Sequence, residues 1–298
     1  MVRSYAQIPT QVSFVASIEV SRDGNYALCR TLGKDMEILD LKNGVSLRTF
    51  SFPENQPNAA LSGNGQVLGI AIRDSGEFCL YSTSNGQLLN TIKVKPPAAD
   101  LVISNDGSTL ITSSADNVVR IWDIATGALL RTLNGNTSYP ISLALTRDGQ
   151  TLITGSGNSL MFWDWQSGTL LKTTPGGYFQ KPIFVMPQGD VYNVRYDNSG
   201  AHVWDITQNQ EVLTAPMYEA EGGTATITPD GLTLIAGGVG DLFVYNMVTG
   251  RQAADVGDGN GNIVVGGMGN NSTFITADEN SNTPYTLFRI YYCWLPFF

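Results

Sequence analysis

The stretch LVISNDGSTLITSSADNVVRIWDIATGALLRTL, residues 101–133, decides the fold. It contains four short apolar runs, separated by turn residues, at 101–103, 110–112, 118–122 and 129–133. Short alternating runs bounded by Gly, Asn, Asp and Ser are typical of β-strands joined by tight turns. The stretch therefore predicts one unit of four strands, which we call a, b, c and d in chain order.

The same unit recurs along the whole chain. A turn pair closing on glycine appears at Asp23-Gly24, Asn64-Gly65, Asp106-Gly107, Asp148-Gly149, Gln188-Gly189 and Asp230-Gly231, at intervals of 41, 42, 42, 40 and 42 residues, with a weaker copy at Asn270-Asn271. A second mark runs in phase: Leu39-Asp40, Tyr81-Ser82, Trp122-Asp123, Trp163-Asp164, Trp204-Asp205, Tyr245-Asn246 and Tyr291-Tyr292. A period of this length fixes the whole architecture. Seven repeats of four strands are predicted.

The three Trp-Asp dipeptides and the in-phase turns make the chain similar to the WD-repeat family. The resemblance covers essentially the whole chain and is weakest in the first, second, fifth and seventh repeats. It implies an all-β fold, a seven-bladed β-propeller with four-stranded blades and strand a innermost. Residues 1–298 are expected to form a single domain of this type.

The ring is expected to close through its two ends. Ile8 precedes Asp23 by 15 residues, as Leu133 precedes Asp148, so the segment 2–8 has the register of a strand d. The seventh repeat has strands a, b and c but ends soon afterwards. We expect the N-terminal strand to pair with residues 286–292 and to complete the last blade. The alternative is that residues 293–298 form that strand, but Pro296 cannot donate to a ladder.

Composition and charge narrow the partner class. The net charge is -9, and only 17 Lys and Arg residues are scattered along the chain. Phosphate-backbone binding needs clustered cations, so nucleic acid and an anionic membrane surface are disfavoured. Cys29, Cys79 and Cys293 lie far apart, without metal-type spacing. They indicate buried thiols in a reducing, cytoplasmic location, and the N-terminal residues lack the apolar core of a signal peptide.

In the WD-repeat family a polar relay of His, Ser or Thr, Asp and Trp braces the blade. The third repeat keeps Thr112, Asp116 and Trp122 at the matching positions, while Gly135-Asn136 stands where a Gly-His dipeptide would be. The resemblance therefore implies an incomplete relay with a structural role. Asp116 is interpreted as a brace and not as a catalytic acid.

No residue pattern points to catalysis, a metal or a cofactor. His202 is the sole histidine and shares one face of its strand with Trp204, which favours a structural role. The segment 258–262 resembles a calcium loop, but Gly269 stands where the bidentate Glu would be, so an acidic turn is favoured. We expect a protein that is not an enzyme and that takes no metal and no cofactor.

The remaining hypothesis is a protein-binding surface. The connections that join strand d to the next strand a emerge on one face, and those entering the fourth, fifth and sixth repeats carry Tyr139, Tyr178, Phe179, Met217 and Tyr218. Loop aromatics and Met are typical of interface cores, so these residues are predicted to bind a protein partner. The alternative that each side chain packs on its own blade stays open.

Acidic residues on the same face favour a basic partner. They are Asp35, Asp74, Glu77, Glu219, Glu221, Asp241, Asp258, Asp278 and Glu279. The runner-up function is a small-molecule-binding or enzymatic propeller with a site at the channel mouth. Among the strands a compared, residues 17–20, 101–104 and 142–145, only Glu19 is charged, which favours the protein-binding platform. The partner and the oligomeric state stay undetermined by the sequence.

Overall fold

The structure is a computed structural model in which every regular element among the described residues is a β-strand. The described residues are 2–9, 12, 15–52, 58–72, 75–95, 98–136, 140–156, 159–175, 183–186, 190–197, 199–208, 210–217, 224–228, 230–238, 241–255, 262–267, 273–279 and 287–293. Over these ranges no helix is long and apolar enough to cross a bilayer.

The strands fall into four-stranded sheets that follow the repeats. The first three sheets contain β2 (Val15–Val20), β3 (Tyr26–Thr31), β4 (Asp35–Asp40), β5 (Val45–Ser51); β6 (Asn58–Leu61), β7 (Val67–Ile72), β8 (Glu77–Ser82), β9 (Leu88–Lys93); β10 (Ala98–Ile103), β11 (Thr109–Ser114), β12 (Val119–Asp123) and β13 (Leu129–Leu133). The fourth and fifth contain β14 (Pro140–Leu145), β15 (Thr151–Ser156), β16 (Ser159–Asp164), β17 (Thr169–Pro175); β18 (Ile183–Val185), β19 (Val191–Asp197), β20 (Gly200–Asp205) and β21 (Gln210–Pro216).

The last two sheets complete the chain. They contain β22 (Thr224–Ile227), β23 (Thr233–Gly237), β24 (Leu242–Asn246), β25 (Gln252–Asp255); β26 (Asn262–Gly267), β27 (Thr273–Glu279), β28 (Leu287–Cys293) and, from the N-terminus, β1 (Val2–Pro9). The described strands thus form seven four-stranded sheets, and in six of them the spatial order follows the chain. The fold is an all-β propeller fold with four-stranded antiparallel blades.

The N-terminal strand joins the last repeat, as the sequence predicts. The seventh sheet has the order β1-β28-β27-β26, and β1 runs antiparallel to β28 from Val2 opposite Cys293 to Pro9 opposite Leu287. That pairing prediction is confirmed. The competing segment 294–298 lies outside the described residues, as does Thr286.

A β-bulge at one fixed place supports this assignment. In the third sheet Trp122 pairs with Leu129 and Ile121 with Arg131, so Leu130 is the extra residue of strand d. The equivalent bulge lies at residues 47, 89, 171, 212 and 253 in the other five sheets of simple order, each beside the second sequence mark. In the seventh sheet Tyr291 pairs with Ser4 and Ile290 with Ala6, which makes residue 5 the bulge. The segment 2–9 therefore has the register of a strand d. Such bulges interrupt the free edge of an outer strand.

The turns between strands a and b share one pattern of hydrogen bonds. In the third sheet the Ser104 hydroxyl donates to the Asp106 carboxylate (2.5 Å) and accepts the Thr109 N–H (3.0 Å). Ser21, Ser62, Thr146 and Thr228 donate to the turn Asp or Asn in the same way. Gly107 completes the turn with a φ of 77°, which a residue with a side chain rarely adopts. This pattern explains why the Asp-Gly pairs recur with a Ser or Thr two residues earlier.

The chain divides into two compact units: residues 1–56, 194–205 and 210–298 form the first, and residues 57–193 and 206–209 form the second. In the first unit the buried Ile8 of β1 lies in one apolar cluster with Ala27, Leu39 and Ala277. In the second unit two clusters lie between successive sheets, one of them around Leu101 and the other around Trp163. The expectation of a single domain over residues 1–298 stays a prediction.

Candidate functional site

The predicted partner-binding residues have different outcomes. Met217 is buried, with 6% of its surface exposed, so its interpretation as an exposed anchor is wrong. The physical reason is that the connection is held inward: the Tyr245 hydroxyl donates to the Pro216 carbonyl, and the Met217 backbone lies against Gly200. Tyr139, Tyr178, Phe179 and Tyr218 lie outside the described residues, and their role stays a prediction.

The predicted relay in the third sheet divides into two separate contacts. The Trp122 indole donates to the Thr112 hydroxyl across β12 and β11, 3.1 Å away. Asp116 instead receives two hydrogen bonds from the Arg120 guanidinium, the shorter of 2.5 Å. The Arg120 bonds hold the pKa of the Asp116 carboxyl below its ordinary value, against a smaller opposing effect of burial. Asp116 is thus an ion-paired brace of the β11–β12 turn.

The fourth sheet contains a longer relay. The Trp163 indole donates to Thr154 (3.2 Å), and the Thr154 hydroxyl donates to the Asn136 side-chain oxygen (2.9 Å). Asn136 is the residue that stands where the family has histidine, and it serves the sheet that follows it in the chain. Its amide nitrogen is buried and has no hydrogen-bond partner among the described residues. The Thr154 hydroxyl therefore accepts a hydrogen bond from Trp163 and donates one to Asn136.

A polar row joins the innermost strands of the second unit, and the sequence analysis missed it. Asp100 in β10 is 2% exposed. Its carboxylate accepts hydrogen bonds from the Asn58 amide of β6 (3.2 Å), from the Leu101 N–H (2.9 Å) and from the Leu143 N–H of β14 (2.7 Å). The signal was a spacing of 42 residues between Asn58, Asp100 and Ser142. The Ser142 hydroxyl is buried without a partner in the described part of the chain.

A second row joins the a–b turns of the same unit. Asn64 donates to the Asp106 carbonyl (3.0 Å), and Asn105 donates to the Arg147 carbonyl (3.1 Å). Each donor reaches 42 residues ahead, to the corresponding turn of the next sheet. Polar side chains of the first strands and of the a–b turns thus form hydrogen bonds between neighbouring sheets. The Asp100 carboxylate accepts hydrogen bonds from three N–H donors.

His202 lies in β20 of the first unit between two carboxylates. Its Nδ1 is 2.7 Å from Glu211 Oε1, and its Nε2 is 3.1 Å from Asp197 Oδ1 and 2.9 Å from Ser199 Oγ. A Ser, a His and a carboxylate in this order resemble a nucleophile with its base. Here the Ser199 hydroxyl donates to the Asp197 carboxylate (2.6 Å), and Asp197 Oδ1 faces the same ring nitrogen as Ser199, so Ser199 is not aligned as a nucleophile activated by His202. The cluster is therefore a charged brace.

Other reactive groups among the described residues are shielded or dispersed. Cys29 is a free, fully buried thiol, and its pKa is raised by loss of solvation and by the charge of Glu37. Cys79 is a free, partly buried thiol. No group of three or more His, Cys, Asp or Glu side chains in the described ranges is placed to hold a metal ion.

Exposed apolar side chains concentrate on the outer strands. In the second unit β9 and β13 begin with a pair of leucines, and β17 has such a pair directly after its first residue; these leucines are 44–57% exposed: Leu88, Leu89, Leu129, Leu130, Leu170 and Leu171. A cation follows two of these pairs, Arg131 in β13 and Lys172 in β17. These six leucines are more than half of the eleven exposed large apolar side chains among the described residues.

Comparison with known proteins agrees with this architecture. The WD domain, G-beta repeat family matches residues 95–123 and 127–164, which include most of the third sheet and the first strands of the fourth. These residues therefore contain WD repeats, and the chain is similar to the WD-repeat family. The chain is 27% identical to Autophagy-related protein 16 of Arabidopsis thaliana over 66% of this chain and 42% of that protein.

Two further relatives have names that place them in assemblies. Small ribosomal subunit protein RACK1 of Caenorhabditis elegans is 24% identical over 80% of this chain and 78% of that protein. COMPASS component SWD3 of Saccharomyces cerevisiae is 28% identical over 52% of this chain and 50% of that protein. The chain therefore spans half or less of two of these three relatives.

Proposed function

We propose that this WD-repeat protein is a non-catalytic platform that binds another protein. The observation that carries the proposal is how its ionisable groups are used. Asp100 accepts three hydrogen bonds, Asp116 pairs with Arg120, and His202 lies between two carboxylates. Asp100 joins neighbouring sheets, whereas the Asp116 and His202 contacts brace turns and strands within one sheet, and groups engaged in this way are not poised to act on a substrate. The names of two relatives as members of larger assemblies support the same function.

The proposed partner surface is the loop face that carries the d–a connections. Tyr139, Tyr178, Phe179 and Tyr218 remain its proposed anchors, and Met217 is no longer among them. Aromatic anchors bury much area with few rotatable bonds, which is why they dominate binding energy at interfaces. With an excess of nine negative charges on the chain, a basic partner is the favoured class.

The finer expectations from the sequence belong to the same proposal. We propose one closed ring of seven blades over residues 1–298, a cytoplasmic location, and a partner that is a protein, not nucleic acid or a membrane. The low number of Lys and Arg residues supports the partner class. The seven four-stranded sheets among the described strands support the blade number.

The leucine pairs at or next to the starts of β9, β13 and β17 offer a second surface. Exposed apolar groups in a contiguous set mark interaction sites more often than scattered ones do. Asn90 of β9 donates to the Ile124 carbonyl (2.8 Å), and that turn leads directly into Leu129 and Leu130. Neighbouring leucine pairs therefore lie on adjoining sheets of one unit. An experiment on partner binding therefore has to distinguish the leucine pairs of the outer strands, here called the outer edge, from the loop face.

The test is affinity capture from an extract of the source organism with three forms of the full chain as bait. Wild type is compared with Tyr178→Ala/Phe179→Ala and with Leu130→Ser/Leu171→Ser, and retained proteins are quantified by mass spectrometry. Loss of a hot-spot anchor weakens binding by about 2 kcal/mol, roughly thirtyfold. We expect the aromatic variant to lose the partner and the leucine variant to keep it.

The two variants also control for each other. Each variant is first shown to match the wild-type melting temperature. Loss of the partner by the leucine variant alone would move the site to the outer edge. Failure of the wild-type chain to retain any protein specifically would contradict the platform function itself.

A further inference from the structure

His202 occupies the position of a permanent cation in another blade. In the third sheet Arg120 stands two residues before Trp122 and bonds Asp116 in the β11–β12 turn. In the fifth sheet His202 stands two residues before Trp204 and bonds Asp197 at the end of β19. The same brace is thus built once with a cation that never titrates and once with a cation that titrates near neutral pH.

The geometry fixes the protonation state that the brace needs. Both ring nitrogens of His202 face carboxylate oxygens, Glu211 at 2.7 Å and Asp197 at 3.1 Å. A carboxylate only accepts hydrogen bonds, so each nitrogen must carry a proton to satisfy both partners. Imidazole with two N–H groups is the cation. The cluster is therefore complete only when His202 is protonated.

The charged and polar groups around the His202 ring come from β19, from the turn that follows it, and from β21. At the end of β19 and in the following turn are Asp197 and Ser199, whose hydroxyl also bonds the Asp197 carboxylate (2.6 Å). On β21 Glu211 accepts a second hydrogen bond, from Thr214 (2.5 Å). The cation of β19, Arg195, lies over the Trp204 ring, 5.9 Å from its centroid. His202 is the cation that bonds both carboxylates.

We propose that His202 is a pH-sensitive brace that holds the β19–β20 turn against the start of the outer strand β21. Protonated, the ring bridges Asp197 and Glu211. When the proton passes to solvent, two carboxylates face a neutral ring that satisfies only one of them, and the turn and the outer strand separate more readily. The part that changes state is the contact between the end of β19, β20 and the start of β21, and the His202 side chain is the group that titrates.

The direction of the titration follows from the surroundings. Burial alone lowers the pKa of His202, but the hydrogen bonds and charges of Glu211 and Asp197 outweigh it and raise the pKa above its ordinary value. The stabilisation is complete below the unfolded pKa of about 6.5 and is lost as the pH rises through the folded value. Ser199 first, and then His202, lower the pKa of Asp197 to about 2, so this carboxylate stays charged in mild acid. The brace is strongest from about pH 4 to pH 6.5.

The test uses the fact that the chain has one histidine. The ring signals of His202 are titrated by NMR in wild type, Glu211→Gln and Asp197→Asn. We expect a wild-type pKa above about 6.5 and a fall of about half a unit or more in each variant. Hydrogen exchange of residues 199–200 and 210–214 is then compared at pH 5.5 and pH 8.5, after correction for intrinsic rates. Protection should fall at the higher pH in wild type and stay constant in His202→Arg.

The third sheet supplies the internal control. Protection of the β11–β12 turn, braced by Asp116 and Arg120, should not change over the same pH range. A ring pKa at or below 6.5, unmoved by the two carboxylate variants, would overturn the proposal. So would wild-type protection that does not depend on pH in the fifth sheet. If His202→Arg does not fold, Glu211→Gln decides, because it should already show reduced protection at pH 5.5.

Discussion

The backbone N–H of Leu143 donates to Asp100 Oδ2 at 2.7 Å, which joins the inner strands of the third and fourth sheets through one buried carboxylate. The other carboxylate oxygen accepts from Asn58 on the second sheet. One side chain therefore ties three consecutive sheets at their innermost strands. Neighbouring sheets otherwise contact each other through apolar side chains, so these directional hydrogen bonds help to fix how one sheet is placed against the next.

Asp100→Ala should lower the free energy of unfolding by about 3 kcal/mol, because it leaves the buried Leu101 and Leu143 N–H groups without acceptors. Ser142→Ala is the matched control: it removes a buried hydroxyl at the equivalent place 42 residues later, where no partner is present among the described residues. That variant should change stability by less than about 0.5 kcal/mol. Urea unfolding measures both. Equal losses in the two variants would contradict the assigned role of Asp100.

Thr154→Val should be more damaging than Thr112→Val, although the two threonines occupy equivalent positions. Thr154 links Trp163 to Asn136, whereas Thr112 bonds only Trp122 among the relay residues. The first change leaves two buried polar groups unpaired and should cost about 2 kcal/mol, and the second about 1 kcal/mol. Chemical unfolding followed by tryptophan fluorescence gives both values. If Thr112→Val lowers the free energy of unfolding more than Thr154→Val does, the longer relay of the fourth sheet does not have the stabilising role assigned to it.

The fold was readable from the sequence because its determinants are local and repeated. The Asp-Gly turns and the Trp-Asp marks set four strands per repeat, and the count from Ile8 to Asp23 placed the N-terminal strand. What the sequence could not give was side-chain partnership across repeats. Asn136 was assigned to the third repeat but bonds Thr154 of the fourth. Asp100 was overlooked because strand a was predicted to begin at Leu101, three residues after the observed start of β10 at Ala98.

The candidate site was predicted less well because its side-chain contacts also join residues that are distant in the sequence. The burial of Met217 depends on a contact between distant segments, the hydrogen bond from Tyr245 to the Pro216 carbonyl. The pairing of His202 with Glu211 depends on the register of β20 against β21, in which the bulge shifts the partners. Neither is visible in a local pattern of residue types. The 42-residue spacing of polar residues at the starts of the strands a was visible, and it is the signal to search for in similar chains.

Gly149 and Gly44 should respond differently to alanine, although both have positive φ, 74° and 67°. A Cβ on Gly149 would lie 2.7 Å from the Asn105 amide nitrogen, whereas a Cβ on Gly44 meets nothing within 4 Å. Gly44→Ala should therefore cost about 1 kcal/mol, from backbone strain alone. Gly149→Ala should cost about 2 kcal/mol or more, because it also disrupts the Asn105 bond to the next turn. Thermal unfolding distinguishes them, and equal melting temperatures would refute the close approach.

The N-terminal strand supplies both a ladder and a buried side chain to the last sheet. β1 pairs with β28 over seven registered positions, and Ile8, fully buried, packs in one cluster with Ala27 and Leu39 of the first sheet. Ile8→Ala should therefore cost about 2–5 kcal/mol, the range for a large aliphatic side chain removed from a core. An equally apolar but exposed residue, Val45 at the start of β5, provides the control, and Val45→Ala should change stability little.

Removal of residues 1–9 should have a larger effect than Ile8→Ala, because it also leaves the edge of β28 unpaired. If the missing strand is what destabilises the truncated chain, a synthetic peptide VRSYAQIP should bind the open edge and raise the melting temperature with peptide concentration, by mass action. The same peptide with Ile8→Asp should not, since it would bury an unpaired charge in the apolar cluster. A truncated chain that melts with the wild-type midpoint, or a rescue by both peptides alike, would show that β1 does not complete the seventh sheet.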